Sequence, residues 1–179
     1  MLRSKEIEWF YQSGASYIFP DAWEGYLAPI PESERDNLVV AYYKRLTSAD
    51  PDVRQMAARA WSIWEASTSK LVPDSGLIER FGSGTFADAF ARIECHYFIN
   101  GGFFESENQL LDNIDRIRHI PAVIVQGRYD VVCPMTSAWE LHRAWPEAEL
   151  LVIPEAGHSA TEPAIASALI EATDRFLYS

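Results

Sequence analysis

Apolar positions recur every three or four residues along most of the chain and then give way to short continuous apolar runs, a change that divides the sequence near Arg118. Leu38, Tyr42 and Leu46 fall at i, i+4 spacing with Val39 and Tyr43 beside them, and Ser33 ahead of an acidic turn predicts where that helix starts. Asp50-Pro51 reads as an N-cap followed by proline at the first helical position. Behind it, Val53, Met56, Ala57, Ala60, Trp61 and Trp64 make one apolar stripe. Thr85 predicts the cap of a third helix, with Phe86, Phe90, Ile93 and Tyr97 as its buried face. Ser106 and Gln109 have capping-box spacing ahead of Leu110, Leu111 and Ile114. Pro73 to Gly76 and Gly82 to Gly84 read as connectors. Residues 1–118 therefore predict a mainly helical domain that holds most of the aromatic side chains and no strand of its own.

Residues 119–179 follow another pattern. Pro121 precedes Ala-Val-Ile-Val-Gln, a helix follows Pro134 through Ala138, Leu141 and Trp145, and Glu149 to Ile153 is a second apolar run. A last helix is predicted from about Glu162 to Leu177. Strand, helix and strand in so short a span make a βαβ unit, so the two strands should be parallel. Continuous apolar runs in parallel strands predict burial on both faces. Two strands alone do not make a stable sheet, so the pair reads as the edge of a larger one.

Composition narrows the field further. A chain of 179 residues with 48% apolar and 23% charged residues is globular. Its net charge of −11 opposes nucleic acid and anionic membrane as partners. No apolar run is long enough to cross a bilayer, and Met-Leu-Arg-Ser-Lys-Glu lacks the apolar stretch of a secretory signal. Cys95 and Cys133 have no CxxC spacing and read as two reduced thiols of a cytoplasmic protein, with a lone disulfide as the alternative.

Candidate chemistry lies at the strand ends. In an open α/β sheet, functional groups collect beyond the carboxyl ends of the strands. Asp130 follows the first run by four residues and His158 follows the second by five. Singly, Asp130 reads as well as a turn or cap residue, and His158 as an ordinary loop histidine. At matching ends of consecutive parallel strands they point to catalysis. A carboxylate on one imidazole nitrogen fixes the tautomer and leaves the other nitrogen free to deprotonate a nucleophile. His96, His119 and His142 read as structural, and none pairs with a carboxylate at metal-ligand spacing, so neither metal nor cofactor is expected. Aspartate before histidine is also the chain order of α/β-hydrolases, whose nucleophile precedes both. No GxSxG occurs. Gly82-Ser83-Gly84 comes nearest, but no apolar strand leads into it, and Ser83 is rejected as a nucleophile.

These residues are part of a wider resemblance. Trp9-Phe10-Tyr11-Gln12, Gly14-Ala15-Ser16, Arg45-Leu-Thr-Ser-Ala-Asp-Pro51 and Trp61-Ser-Ile-Trp-Glu65 occur in order. Ala91-Arg-Ile-Glu94 with His96-Tyr97-Phe98, Ile117-Arg-His-Ile-Pro-Ala122, Gly127-Arg-Tyr-Asp130 and Ala156-Gly-His-Ser159 complete the series. Over essentially its whole length the chain resembles the proline iminopeptidases, serine aminopeptidases of the α/β-hydrolase superfamily. The resemblance implies that Asp130 and His158 are the acid and base of a Ser-His-Asp triad. It implies that Glu65 and Glu94, on predicted helices of a cap, hold the free amino group of an N-terminal proline. Carboxylates facing a cationic nitrogen would select a free N-terminus over an internal bond; without the resemblance, both read as solvated helix carboxylates. Phe10, where relatives often carry tyrosine, and Cys133 match positions near the proline pocket, though a core phenylalanine and a buried cysteine read equally well.

The family's N-terminal region carries most of the central sheet, a His-Gly-Gly-Pro-Gly oxyanion loop and a Gly-Gly-Ser-Trp-Gly nucleophile elbow. None of these occurs here. The expectation is a partial α/β-hydrolase fold: a helical cap over residues 1–118, then the last parallel strands and helices of the core over residues 119–179. The expected function is a serine-type aminopeptidase acting on peptides with N-terminal proline, inactive as this chain alone. A non-catalytic fragment that binds a complementary N-terminal hydrolase half is one alternative. Another hydrolase of the superfamily, such as an esterase or epoxide hydrolase, is the second.

Overall fold

A computed structural model describes residues 3–177. The chain forms two compact units, one of residues 3–68 with 73–107 and one of residues 69–72 with 108–177. The division expected near Arg118 falls inside the second unit, because Ile114 is buried there with Trp145 and Ala148 against Ala122, Ile124, Leu141 and Ala144.

The first unit is helical throughout its described residues: α1 (Ser4–Tyr11), α2 (Pro20–Leu27), α3 (Leu38–Leu46), α4 (Pro51–Thr68), α5 (Ser75–Phe81) and α6 (Gly84–Ile99). The α4 cap forms as its sequence predicts, with the Asp50 carboxylate accepting from the Asp52 amide at 2.9 Å. Two other helix starts differ from expectation. Ser33 lies in a 3-10 turn at Glu32–Glu34, and α3 begins later, where the Asn37 side chain accepts from the Val40 amide at 3.1 Å. Thr85 lies inside the first turn of α6, and the cap position is held by Ser83, whose hydroxyl donates to the Arg80 carbonyl at 2.7 Å.

The buried face of α6 also differs. Phe86, Ile93 and Tyr97 are exposed, and the residues packed away from solvent are Ala87, Ala91 and Cys95. Small side chains let α6 approach α4 closely; the Ser62 hydroxyl of α4 reaches the Ala87 carbonyl at 3.4 Å. On α4, Ala57, Trp61 and Trp64 are buried as the stripe predicts, whereas Met56 faces solvent. The core of this unit is aromatic: Tyr26 stacks on Tyr42 with centroids 4.6 Å apart, and Trp64 lies 5.2 Å from Phe10 and 5.0 Å from Trp23.

The second unit holds α7 (Gln109–Asp112), β1 (Val123–Gly127), α8 (Met135–Ala144), β2 (Glu149–Ile153) and α9 (Pro163–Leu177). The helix expected behind Ser106 is only α7, a single turn, followed by a 3-10 turn at Ile114–Arg116, and the Ser106 hydroxyl does not cap it. β1 and β2 are parallel as predicted, in a register that runs from Val123 opposite Glu149 to Gly127 opposite Ile153. Most of their residues are only half-buried, not covered on both faces as expected, since among the described residues the sheet has two strands.

The assignment of the α6 face is testable by stability. Ala91→Leu should overpack the contact with α4 and cost about 1–3 kcal/mol, while Ile93→Ser should change stability by about 0.5 kcal/mol or less. Urea melts that rank the two the other way would show that Ile93 packs inside.

Candidate active site

The site of the second unit is built where β1 and β2 end. The ladder continues one step beyond β1, with the Arg128 amide donating to the Ile153 carbonyl at 2.8 Å, and the Tyr129 amide then donates to the Ala156 carbonyl at 2.9 Å. These bonds bring the loops after the two strands into contact. Gly127 is required at the crossing: a Cβ there would lie 1.9 Å from the Gly157 carbonyl oxygen.

Asp130 is placed by this crossing, and its side chain is 6% exposed. Its Oδ1 accepts from the Cys133 amide at 2.8 Å. Its Oδ2 accepts from the Gln126 side-chain amide at 2.9 Å and from His158 Nδ1 at 3.1 Å. Because a carboxylate only accepts, the His158 proton on this edge sits on Nδ1, and Nε2 points elsewhere. The His158 main chain is held in turn, its amide donating to the Ser69 carbonyl at 3.0 Å.

The surroundings of His158 favour the charged ring. Burial works against the charge, but the hydrogen bonds and charges of Asp130 and Cys133 outweigh it and push the ring up from 6.5 to about 10. At neutral pH the ring is an imidazolium, the state a general base reaches after taking a proton. The folded value lies above the ordinary one, so the pair contributes its stability in full below about pH 6.5 and loses it as the pH rises through about 10.

The first unit carries the other predicted residues. Glu65 is 4% exposed on α4 and accepts a hydrogen bond from the Tyr11 hydroxyl. Glu94 on α6 is half-buried and accepts from the Trp61 indole N–H at 2.9 Å. Tyr11 and Trp61 are themselves stacked, with centroids 4.5 Å apart and planes 19° from parallel, so two ring donors in face contact serve the two carboxylates. Burial, then the Glu65 charge, then that of Glu94, holds the Tyr11 phenol well above its usual range, so it remains a donor. Phe10 is buried edge-on against Tyr11, at 4.8 Å.

Glu65, Glu94 and Phe10 thus meet in one unit, and Asp130, His158 and Cys133 in the other. Both cysteines are free thiols; burial and then the Glu94 charge push Cys95 up to about 12. No group of three or more His, Cys, Asp or Glu among the described residues could hold a metal ion, and no described helix is long and apolar enough to cross a membrane. Reading the sequence missed Tyr11, the indole of Trp61, and Gln126. Gln126 carried a signal, a lone polar side chain at the end of an otherwise apolar strand; Tyr11 had none beyond its place in a motif.

Residues 89–179 match the model of an α/β-hydrolase domain family described as TAP-like protein. The chain belongs to this family. It is 67% identical over 177 residues to a probable proline iminopeptidase of Leptolyngbya boryana, covering 99% of this chain and 55% of the relative. It is 58% identical to a proline iminopeptidase of Xylella fastidiosa strain 9a5c, covering 99% of this chain and 56% of that one. With a proline iminopeptidase of Arabidopsis thaliana it shares 55% identity over 98% of this chain and 46% of the relative. The chain spans about half the length of the curated relatives it matches. The resemblance read from the motifs and the partial α/β-hydrolase fold are both borne out.

Two outcomes check the two clusters of this family member. Asp130→Asn should bring the His158 titration, followed by NMR of its ring protons, down from about 10 toward 6.5. Its cost in stability should shrink as the pH is raised through that interval, and a midpoint left in place would show that Asp130 does not set the charge of the ring. Tyr11→Phe removes a donor from a buried carboxylate and should cost about 1.5–3 kcal/mol in urea melts.

Proposed function

We propose that this chain is the acid, base and selector portion of a serine-type aminopeptidase that releases N-terminal proline from peptides. The observation that carries the reading is the Asp130–His158 hydrogen bond at the carboxyl ends of adjacent parallel strands. The similarity to proline iminopeptidases along 99% of the chain supports the choice of substrate. In this reading the helical unit is the cap, and the unit that holds β1 and β2 is the closing part of the hydrolase core. The nucleophile is a serine supplied by a complementary N-terminal hydrolase half.

The reaction follows from the roles. His158 Nε2 takes the proton of the serine hydroxyl as its oxygen bonds to the prolyl carbonyl carbon. Asp130 stabilises the resulting imidazolium through Nδ1. His158 then gives the proton to the leaving amine as the peptide bond breaks, leaving an acyl-enzyme. Water attacks that ester with His158 again as base; the ester bond breaks, His158 returns the proton to the serine oxygen, and free proline departs. Glu65 and Glu94 bind the cationic secondary amine of the substrate, with Phe10 and Cys133 near its ring. The two free thiols support a reducing compartment such as the cytoplasm.

The test uses a prolyl chromogenic amide. The chain alone should give no turnover, and co-expression with an N-terminal hydrolase half should restore it. His158→Ala should then lower kcat by several orders of magnitude. Glu65→Gln and Glu94→Gln should each lower kcat/KM for a free N-terminus by about 10- to 100-fold. Survival of that activity through both changes would favour another hydrolase of the superfamily.

A further inference from the structure

We propose that Glu162 is a positioning residue of this site: its buried carboxylate clamps the loop that carries His158 and so keeps the ring on Asp130. Glu162 stands immediately before α9, at the position whose side chain ordinarily caps its own helix. Here the side chain points elsewhere. It is 9% exposed, with Oε1 accepting from the Gly157 amide at 2.8 Å and Oε2 from the Leu71 amide at 3.3 Å. Leu71 belongs to the same short segment whose Ser69 carbonyl accepts from the His158 amide at 3.0 Å and the Ser159 amide at 2.8 Å.

Three consecutive amides, those of Gly157, His158 and Ser159, are therefore all tied down. One bonds Glu162 directly, and two bond a carbonyl in the segment that Glu162 itself holds. The glycine is part of the device, since a Cβ at Gly157 would meet the Leu71 amide nitrogen at 2.9 Å and Glu162 Oε1 at 3.1 Å. The His158 side chain is 38% exposed, so packing alone does not fix it, and the position of its backbone helps set whether the ring reaches Asp130. The charges that act on the ring are those of Asp130 and Cys133, so Glu162 acts through the main chain. A carboxylate is needed because both its oxygens accept; a glutamine of the same shape would turn an NH2 toward one of the two amides.

The importance of this clamp for catalysis rests on reading His158 as the general base, but its test needs no turnover. In this chain, Glu162→Gln should speed hydrogen exchange at Gly157 and Leu71 by about 10- to 100-fold. Amides in the middle of α4 should be unaffected. The His158 titration should fall from about 10 toward 6.5 as the ring drifts from Asp130. A lower melting temperature with the titration unmoved would overturn the proposal and leave Glu162 a structural residue only. Should Glu162→Gln not fold, Glu162→Asp keeps the charge but shortens the reach by one methylene. A lowered His158 midpoint there supports the clamp, and an unchanged one overturns it. If a co-expressed enzyme proves to hydrolyse something other than prolyl peptides, the titration result stands unaffected.

Discussion

Everything chemical in the second unit depends on one buried anion. A carboxylate taken out of water is tolerated only when its oxygens are paired and hydrogen-bonded. Asp130 meets that demand with three donors: the Gln126 amide, the Cys133 backbone N–H and the imidazole of His158. Two of these lie within four residues of Asp130 in the chain, and they fold the loop after β1 around it. The third comes from the loop after β2, so satisfying one charge determines how the two strand ends meet. Gly127 is small for the same reason, because the loops cross with no room for a Cβ there.

The first unit solves a similar problem with aromatic rings. Glu65 is 4% exposed and accepts from a phenol O–H, and the half-buried Glu94 accepts from an indole N–H. Tyr11 and Trp61 stack on each other while each reaches a different carboxylate, so the apolar contact that builds the core also sets the spacing of the acidic groups. Among the described residues, the Tyr26 hydroxyl and the Trp64 indole N–H are buried with no hydrogen-bond partner, at a cost of about 1–3 kcal/mol each. Tyr26 still stacks on Tyr42, and Trp64 packs at an angle against Phe10 and Trp23, so ring packing outweighs polar satisfaction at those two places.

How much of this was legible depended on whether the signal was local. Asp130 and His158 could be found because strand ends are marked by short apolar runs, and the parallel pairing followed from the length of the crossover. Pro51 and Asp50 marked α4 for the same local reason. The buried face of α6 could not be read, since periodicity favours large side chains and the helix instead buries Ala87, Ala91 and Cys95. Close approach to α4 is a tertiary fact, and it overrides the hydrophobic stripe. Asn37 displaced Ser33 as a cap because either residue can do the work and only the path of the chain chooses. Tyr11 and Glu162 are invisible for a further reason: each acts on a residue more than fifty positions away or on a loop whose course the sequence does not display.

The charge of His158 shows why its two ring nitrogens must be considered together. Asp130 stabilises a proton on Nδ1 and, by the same attraction, a second proton on Nε2; with Cys133 it outweighs burial and holds the ring up to about 10. A base in that state is already occupied. In the proposed reaction the serine hydroxyl donates to Nε2, and a donor there favours the neutral ring, because only the neutral form can accept. The carboxylate then helps at the moment when charge develops, as the proton moves from oxygen to nitrogen. The resting pair and the working pair thus differ in one contact on one nitrogen. The geometry that keeps Nδ1 on Asp130 is what allows that single contact to decide the charge of the ring.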